Sequence, residues 1–411
     1  MTACLAAIAV LGVRADPSLL DVDELQYYNL AGDLLRGEYE FNPQRTLGYI
    51  GILAFVRLLT LDNFYATQIV IALLSTFSAP LTYLLVRRHF GNEKVALIVA
   101  LMVMIWGPFL YYNHSLYSEG VALPVFLGFL LLLPNGSILS KQFETNWRQD
   151  ALAGFVLSLC ILIRPMYLLF VPFALVMIFL EGQRVLVSLK RAAMLLAGCI
   201  LVLLPWSGYM TMHAGVPILI SANGGETLSG GLNPEIIKRG YEQFVAADGR
   251  TTWTGPGKWL PISENGYLSP LEQKLPYAKQ DGLLKQRTLQ WAINNPGSAL
   301  YLEIAKLLYM WGIYPFWNRL AQTIFGNVPT VICLALSAVA LVRFRRDWRE
   351  LSRFWLLPVF VSCVALVSWG SWRFRQPGDI GLLVLTVLFL HAVLRKTLSA
   401  DSNSVLPGSS P

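Results

Sequence analysis

Long apolar runs separated by short polar loops make up most of the chain, and this alternation predicts a bundle of membrane helices. Runs long enough to cross a bilayer recur through most of the 411 residues. The short alternating segments of a membrane barrel are lacking, so the runs must be helical. We expect about ten spans, within residues 1–13, 64–86, 95–112, 120–133, 151–163, 166–180, 192–212, 325–342, 354–371 and 380–394. A cleaved signal peptide is the alternative for the first of them.

Two further apolar segments are expected to lie on the membrane without crossing it. Residues 47–61 are short for a span and contain Arg57, and residues 298–311 are amphipathic. If the first of these does not cross, the basic residues 87–94 fall on the cytoplasmic side, as the positive-inside rule requires. If it does cross, those cations face outward. The first choice puts both termini in the cytoplasm.

The predicted spans divide the chain into four parts. The expected parts are an N-terminal transmembrane catalytic module (1–212) with an acidic first loop (14–63), an extracytoplasmic loop with an interfacial helix (213–323), C-terminal transmembrane helices (324–398) and a disordered tail (399–411). The loop holds NGGETLSGG at 223–231, which matches no phosphate-loop spacing. We interpret it as a turn-rich segment near an acceptor cleft.

An acidic stretch at 19–42 follows the first apolar run. Its carboxylates are Asp21, Asp23, Glu24, Asp33, Glu38 and Glu40. Carboxylates held at the edge of a bilayer are costly and therefore indicate a functional site. The local pattern predicts a short helix, capped by Asp23 with Gln26 as its capping-box partner and ended at Gly37. The alternative is that Asp23 is only an N-cap and Glu24 only a favourable first-turn charge.

Composition narrows the class of protein further. With 55% hydrophobic and 14% charged residues, the chain is too apolar for a soluble domain. The net charge of +7 does not indicate a nucleic-acid partner, because the Lys and Arg residues lie mostly in short loops between apolar runs. The five cysteines all lie in apolar segments, which is typical of small buried side chains and not of disulfides or a metal site.

The topology places several charged residues on the outer face together with the acidic stretch. These are Glu119, Arg164, Arg373 and Arg375. A guanidinium binds phosphate through two parallel hydrogen bonds, and a carboxylate can take a proton from an attacking hydroxyl. The combination suits transfer of a group from a lipid-phosphate donor. The alternatives are that Glu119 only opens a helix, that Arg164 snorkels, and that the last two arginines anchor the interface.

The order of these motifs resembles the GT-C superfamily of integral membrane glycosyltransferases. The nearest branch is that of protein O-mannosyltransferases and lipid A aminoarabinose transferases. The motifs that carry the resemblance are DELQYYNLAGDLLRGEY, RRHFG, SLYSEG, ILIRPM and RFRQP. The resemblance implies a polyprenyl-phosphate-linked sugar donor, an acceptor hydroxyl and inversion at the anomeric carbon. The acceptor is expected to be a lipid, a polysaccharide or a protein.

The resemblance also implies roles for individual residues. Asp23 matches the catalytic base of such enzymes, with Glu24 as its pair. Glu119 matches a second acid, which in some members positions the acceptor or a divalent cation. The resemblance therefore does not decide whether this protein needs a metal. No other cofactor is implied.

Three arginines match the basic positions of the family. Arg164 resembles the residue that meets the lipid phosphate, and Arg373 and Arg375 resemble a second phosphate or sugar contact. The resemblance and the short loops favour a bacterial inner membrane, with the active site facing the periplasm or exterior. A transporter or flippase for an anionic lipid is the alternative. Transporters commonly show internal repeats and helices broken at the midplane, and the sequence shows no two-fold hydropathy repeat.

Overall fold

The computed structural model describes residues 14, 16–113, 115–133, 146–181, 184–245, 251–313 and 326–404. Helices make up most of these residues, which confirms the predicted helical class. They are α1 Val22–Arg36, α2 Leu47–Leu59, α3 Phe64–Thr76, α4 Ser78–Phe90, α5 Glu93–Ile105, α6 Gly107–Asn113, α7 Glu119–Leu132, α8 Trp147–Ile163, α9 Phe170–Leu180, α10 Val185–Ala214, α11 Gly224–Gly231, α12 Pro234–Arg239, α13 Tyr277–Asn294, α14 Pro296–Met310, α15 Val328–Arg343, α16 Ser352–Val367 and α17 Gln376–Ser404. The span predicted within residues 1–13 lies outside the described residues.

A single β-hairpin interrupts the helices of the described chain. Strand β1, Glu242–Val245, pairs antiparallel with β2, Thr251–Thr254. The hairpin lies in the long loop between α10 and α13. The long loop therefore carries its own secondary structure, including the 18-residue helix α13, where the sequence indicated mainly turns.

Three helical stretches in the described residues are both long and apolar enough to cross a membrane. They are Phe64–Phe90, which joins α3 and α4, Val185–Ala214 and Gln376–Arg395. Five shorter apolar helices accompany them. The protein is thus a polytopic membrane protein, and the count of about ten spans remains a prediction.

The predicted hinge between α8 and α9 is present. Helix α8 ends at Ile163, and Arg164 has an extended backbone, with φ −148° and ψ 107°. A proline disfavours the helical conformation in the residue before it, so Pro165 accounts for the break. A short 3₁₀ helix, Pro165–Leu169, then leads into α9. The break leaves Arg164 at the end of a helix, where its side chain turns toward the loops.

Helices α8 and α10 pack against each other through glycines. A Cβ atom added at Gly154 would lie 1.9 Å from the carbonyl oxygen of Leu195, and one added at Gly198 would lie 2.0 Å from that of Ala151. Small residues let helix backbones approach closely in a membrane, where packing is the main source of association. The two glycines therefore set the distance between these helices.

We expect Gly154→Ala to destabilise the protein by about 1–3 kcal/mol, because the backbones must separate to admit a methyl group. Thermal unfolding in detergent measures the change. Gly208→Ala in the partner helix α10 is the control, since a Cβ atom added there meets nothing within 4 Å. An equal loss in both variants would mean that the close contact is not what matters.

A buried ion network joins the N-terminal and C-terminal parts of the chain. Arg191 donates to Asp150 at 3.2 Å and also pairs with Glu181, and Glu181 accepts from Arg353 at 3.2 Å. Asp150 lies in the first turn of α8, whereas Arg164 follows its last residue. The helical rise puts these two ends on the order of 20 Å apart. The network therefore closes the end of the bundle opposite to Arg164.

Candidate functional site

The acidic helix α1 begins two residues earlier than the sequence indicated. Asp21 is its N-cap residue, and the Asp21 backbone N–H donates to Glu24 Oε2 at 3.0 Å. The prediction that Asp23 caps the helix with Gln26 is wrong, because Glu24 is the third helical residue and completes the box instead. The helix does end at Gly37, whose φ of +73° is the left-handed conformation expected of a C-terminal glycine.

Because Asp21 is the N-cap residue, the Asp23 side chain does not cap the helix. It binds two arginines instead. Arg45 Nη2 donates to Oδ1 at 2.6 Å, and Arg373 Nη1 donates to Oδ2 at 2.7 Å. Burial raises the pKa of Asp23, but the charges of Arg373 and Arg45 outweigh it, so the pKa lies well below its usual value. Asp23 is therefore a carboxylate with both oxygens engaged.

Arg373 also binds a second carboxylate. Its Nε donates to Glu119 Oε1 at 2.5 Å, and Arg164 Nη1 lies 2.9 Å from Glu119 Oε2. Glu119 is the first residue of α7 and is almost fully buried. The Arg373 guanidinium further lies 4.0 Å from the ring centroid of Tyr117. One guanidinium, from the segment before α17, thus bridges a residue of α1 and a residue of α7.

We call the five connected residues the arginine–carboxylate cluster; they are Asp23, Arg45, Glu119, Arg164 and Arg373. Three guanidiniums and two carboxylates leave this cluster with a formal charge of +1. A partly buried group of charges with an excess of arginine can accept an anion, and arginine suits phosphate through its planar fork. The structure therefore brings together four of the six residues that the sequence singled out.

Glu24 lies beside the cluster in a different setting. It is fully buried, and its Oε2 accepts from Arg14 Nη1 at 2.6 Å as well as from the Asp21 N–H. Its Oε1 accepts from the backbone N–H of Leu116 at 2.8 Å. Glu24 thus joins α1 to the loop before Glu119, and its predicted role as a catalytic partner stays a prediction.

Arg375 also points away from the cluster. It is buried and pairs with Asp379 at 3.1 Å, one turn later in α17, and it donates to the Met310 carbonyl at 2.9 Å. The Trp106 indole N–H donates to Asp379 at 2.9 Å. These contacts join α14, α17 and the break between α5 and α6. The phosphate or sugar contact expected of Arg375 stays a prediction.

Arg45 was missed by the sequence reasoning, because a single arginine in a loop carries little signal. Its position depends on the contact between the start of α2 and the end of α8. The Thr46 hydroxyl donates to the Leu162 carbonyl at 2.5 Å, and a Cβ at Gly48 would lie 2.3 Å from the same oxygen. This contact holds Arg45 next to the hinge that carries Arg164.

The NGGETLSGG segment is the helix α11, so its interpretation as turn-rich is wrong. Glycine costs about 1 kcal/mol in a helix relative to alanine, but close packing offsets that cost here. A Cβ at Gly225 would lie 1.9 Å from the Asp281 carbonyl oxygen, and one at Gly231 would lie 2.2 Å from that of Ser368. The glycines let α11 fit between α13 and the segment that leads to Arg373.

A short backbone contact places the start of α11 beside the cluster. The Ala222 N–H donates to the Pro43 carbonyl at 2.7 Å, two residues before Arg45. Phe41 stacks on His213 at the end of α10, with ring centroids 5.4 Å apart. The loop between α1 and α2 and the loop after α10 are therefore packed together, and Glu226 lies at their junction.

Glu226 is the one titratable residue of α11. Its carboxyl accepts a hydrogen bond from the Tyr277 hydroxyl, and its backbone N–H donates to Asp281 Oδ1 at 2.9 Å. Burial raises the pKa of Glu226 to about 7, while the charge of Arg45 lowers it and the charges of Asp281 and Asp23 raise it. No sequence pattern pointed to this residue beyond its place in the glycine-rich segment.

The described side chains do not fit a divalent cation. Among the residues that the structure describes, no three His, Cys, Asp or Glu side chains lie close enough to hold one. Asp23 and Glu119 are joined through the Arg373 guanidinium, so a cation between them would meet a positive charge.

Comparison with known proteins identifies the fold. No protein-family model and no curated protein matches the chain.

A structure of archaeal oligosaccharyltransferase AglB from Archaeoglobus fulgidus, in complex with an inhibitory peptide and a dolichol-phosphate, superposes with a TM-score of 0.53 at 14% identity, covering 100% of this chain and 52% of that one. A second structure of the oligosaccharyltransferase from that organism, in complex with Zn and sulfate, gives a TM-score of 0.52 at 14% identity and covers 96% of this chain and 49% of that one. The chain thus spans about half the length of these proteins. The likeness shows that the chain shares the fold of these oligosaccharyltransferase structures, and its membership of the GT-C superfamily and of one branch stays a prediction.

Proposed function

We propose that this protein is a membrane glycosyltransferase that moves a sugar from a polyprenyl-phosphate-linked donor to an acceptor, with inversion at the anomeric carbon. The observation that carries the proposal is the bridging of Asp23 and Glu119 by Arg373, with Arg164 and Arg45 on either side. The fold shared with AglB supports it.

The arginines of the cluster would stabilise the leaving phosphate. Two of them, Arg373 and Arg164, share the carboxylate of Glu119, which orients both guanidiniums toward one place. Charge that develops on a phosphate oxygen as the sugar leaves is best stabilised by donors already in position in a site shielded from water. The donor phosphate would then take up guanidinium hydrogen bonds now made to Asp23 and Glu119.

The likeness to AglB informs the choice of partners. The AglB structure holds a dolichol-phosphate and an inhibitory peptide. For this chain we propose a polyprenyl-phosphate-linked sugar as donor and a lipid, polysaccharide or protein hydroxyl as acceptor. We propose a bacterial inner membrane as its location, as the short loops favour. The distribution of basic loops favours a cluster that faces the periplasm or exterior.

Single-turnover release of polyprenyl phosphate tests this function. The protein in liposomes receives a panel of labelled polyprenyl-phosphate sugars, with a membrane extract as the source of acceptor. We expect release with one donor of the panel and transfer of its label to the extract. Movement of intact labelled lipid between leaflets without release would contradict the transferase and favour a flippase, which leaves its substrate unchanged.

A further inference from the structure

Lys306 of α14 is a lysine with no exposed surface, and it lies outside the arginine–carboxylate cluster. Its ammonium group donates to the Leu366 carbonyl at 3.2 Å and to Glu303 Oε1 at 2.9 Å. A buried charge costs several kcal/mol unless hydrogen bonds and an opposite charge offset it. Apolar residues of similar size commonly pack as well or better, so the retained charge indicates that one particular geometry has to be fixed.

The contact with Leu366 lies at the end of α16. That helix ends at Val367, so the Leu366 carbonyl is one of the last four, which lack a partner within the helix. The ammonium also meets the negative end of the helix dipole. Residues 368–375 follow directly, and we call them the Arg373 segment. Lys306 therefore holds the point at which the Arg373 segment leaves α16.

The start of the Arg373 segment is packed closely on three sides. The Gly370 N–H donates to the Gly257 carbonyl at 2.9 Å, and a Cβ atom added at Gly370 would lie 2.4 Å from the Lys306 carbonyl oxygen. A Cβ atom added at Gly231 would lie 2.2 Å from the Ser368 carbonyl oxygen and 3.0 Å from Lys306 Cε. The end of α11, the turn after β2 and helix α14 thus enclose this part of the chain.

Further contacts lead from this enclosed part to the cluster. Trp369 packs on Phe374, with ring centroids 4.9 Å apart, and the Arg164 guanidinium lies 5.2 Å from the Phe374 ring centroid. Arg373 directly precedes Phe374, and its guanidinium reaches Asp23 at 2.7 Å. Packed residues therefore connect Lys306 with two arginines of the cluster.

We propose that Lys306 is a positioning residue, which sets the place of Arg373 without touching the donor. Its effect on the reaction rate rests on the proposed function, in which the Arg373 guanidinium stabilises the leaving phosphate. Such stabilisation requires donors that are in position beforehand, and a misplacement of about 1 Å can cost about a hundredfold in rate. Helix α14 and the long loop thus contribute to the site without providing a catalytic residue.

The test is a double-mutant cycle between Lys306→Met and Arg373→Gln, with single-turnover release of polyprenyl phosphate per folded molecule as the readout. Methionine is similar in length to lysine but has no charge. We expect Lys306→Met alone to lower the rate by about a hundredfold. In the Arg373→Gln background it should lower the rate by no more than about twofold, because the residue through which it acts is already lost.

Lys279→Met is the control, because this lysine is exposed on α13. Its rate should equal that of the wild type. Thermal unfolding in detergent shows that each variant is folded. If Lys306→Met fails to fold, Gly370→Ala takes its place in the cycle, since an added methyl group there displaces the Arg373 segment from α14 without removing a charge.

Two results of this cycle overturn the proposal. One is a wild-type rate in Lys306→Met. The other is an equal loss of rate with and without Arg373, because Lys306 would then act on the rate by a route that does not involve Arg373.

A second cycle needs no substrate and separates the proposal from the proposed function. The thermal midpoints of Asp23→Asn, Arg373→Gln and the double variant give the coupling between Asp23 and Arg373. This coupling should be lost when Lys306→Met is added and should persist when Lys279→Met is added. Coupling that survives Lys306→Met overturns the proposal, even if the protein releases polyprenyl phosphate. If the coupling is lost as expected but the wild type releases no polyprenyl phosphate with any donor, the proposed function fails while the positioning of Arg373 by Lys306 is supported.

Discussion

Arg373→Gln is expected to lower the rate of polyprenyl-phosphate release by about a thousandfold or more, the scale seen when a transition-state arginine is lost. Arg373 is the only residue of the cluster that contacts both carboxylates, Asp23 at 2.7 Å and Glu119 at 2.5 Å. Glutamine supplies neither the positive charge nor the planar fork. Single-turnover release measures the loss, and donor binding measured separately shows whether the ground state is affected as well.

Arg375→Gln shows which of the two neighbouring arginines meets the donor. Arg375 is bound to Asp379 and to the Met310 carbonyl, so its loss leaves the Asp379 charge buried without its cation. We expect this variant to lower the thermal midpoint strongly while each folded molecule keeps most of its rate. A loss of rate equal to that of Arg373→Gln would instead assign a donor contact to both arginines, as the family resemblance implied.

Asp23→Asn is expected to lower the transfer rate by about a hundredfold, because two guanidiniums then lose their shared charged partner. The amide can still accept one hydrogen bond, but it also brings a donor toward Arg45 or Arg373. Single-turnover release of polyprenyl phosphate measures the loss.

Asp33→Asn is the control on the same helix α1. Asp33 pairs with Arg36 at 2.5 Å in an exposed i, i+3 bridge far from the cluster. Such surface pairs contribute little, so its rate and stability should match those of the wild type. A large loss of transfer rate in Asp33→Asn would show that the rate depends on the total charge of α1. It would contradict a specific role for Asp23.

The sequence was enough to predict four of the five cluster residues. Asp23, Glu119, Arg164 and Arg373 each lie where an apolar helix meets a polar turn, and counting basic loops assigns all four to one side. Residues that share one side of the membrane are confined to a thin layer of the molecule. Within that layer, opposite charges in an apolar setting must find one another, which made their association predictable.

The remaining site residues depend on packing that no local pattern reports. Arg45 reaches the cluster because Thr46 and Gly48 contact the Leu162 carbonyl, more than a hundred positions away. Glu226 lies in a segment whose glycines indicate turns by propensity alone, and the tertiary contact with Asp281 reverses that preference. Local rules fail where long-range contacts decide.

The cap of α1 shows the same limit on a smaller scale. Asp21, Asp23 and Glu24 all suit the start of a helix, so the local pattern did not distinguish among them. The choice is made by partners far along the chain. Tyr117 donates to Asp21 at 2.6 Å, and Arg373 donates to Asp23.

The bridge between Asp23 and Arg373 also has a consequence for biosynthesis. The two residues are 350 positions apart, so the ribosome has made most of the protein before the second partner exists. Until then, Asp23 and Glu119 lack the guanidinium that joins them, and the nascent N-terminal helices have no competent site. Arg373 therefore completes the cluster only late in synthesis. A chain whose translation stops before residue 373 should insert into the membrane yet remain inactive.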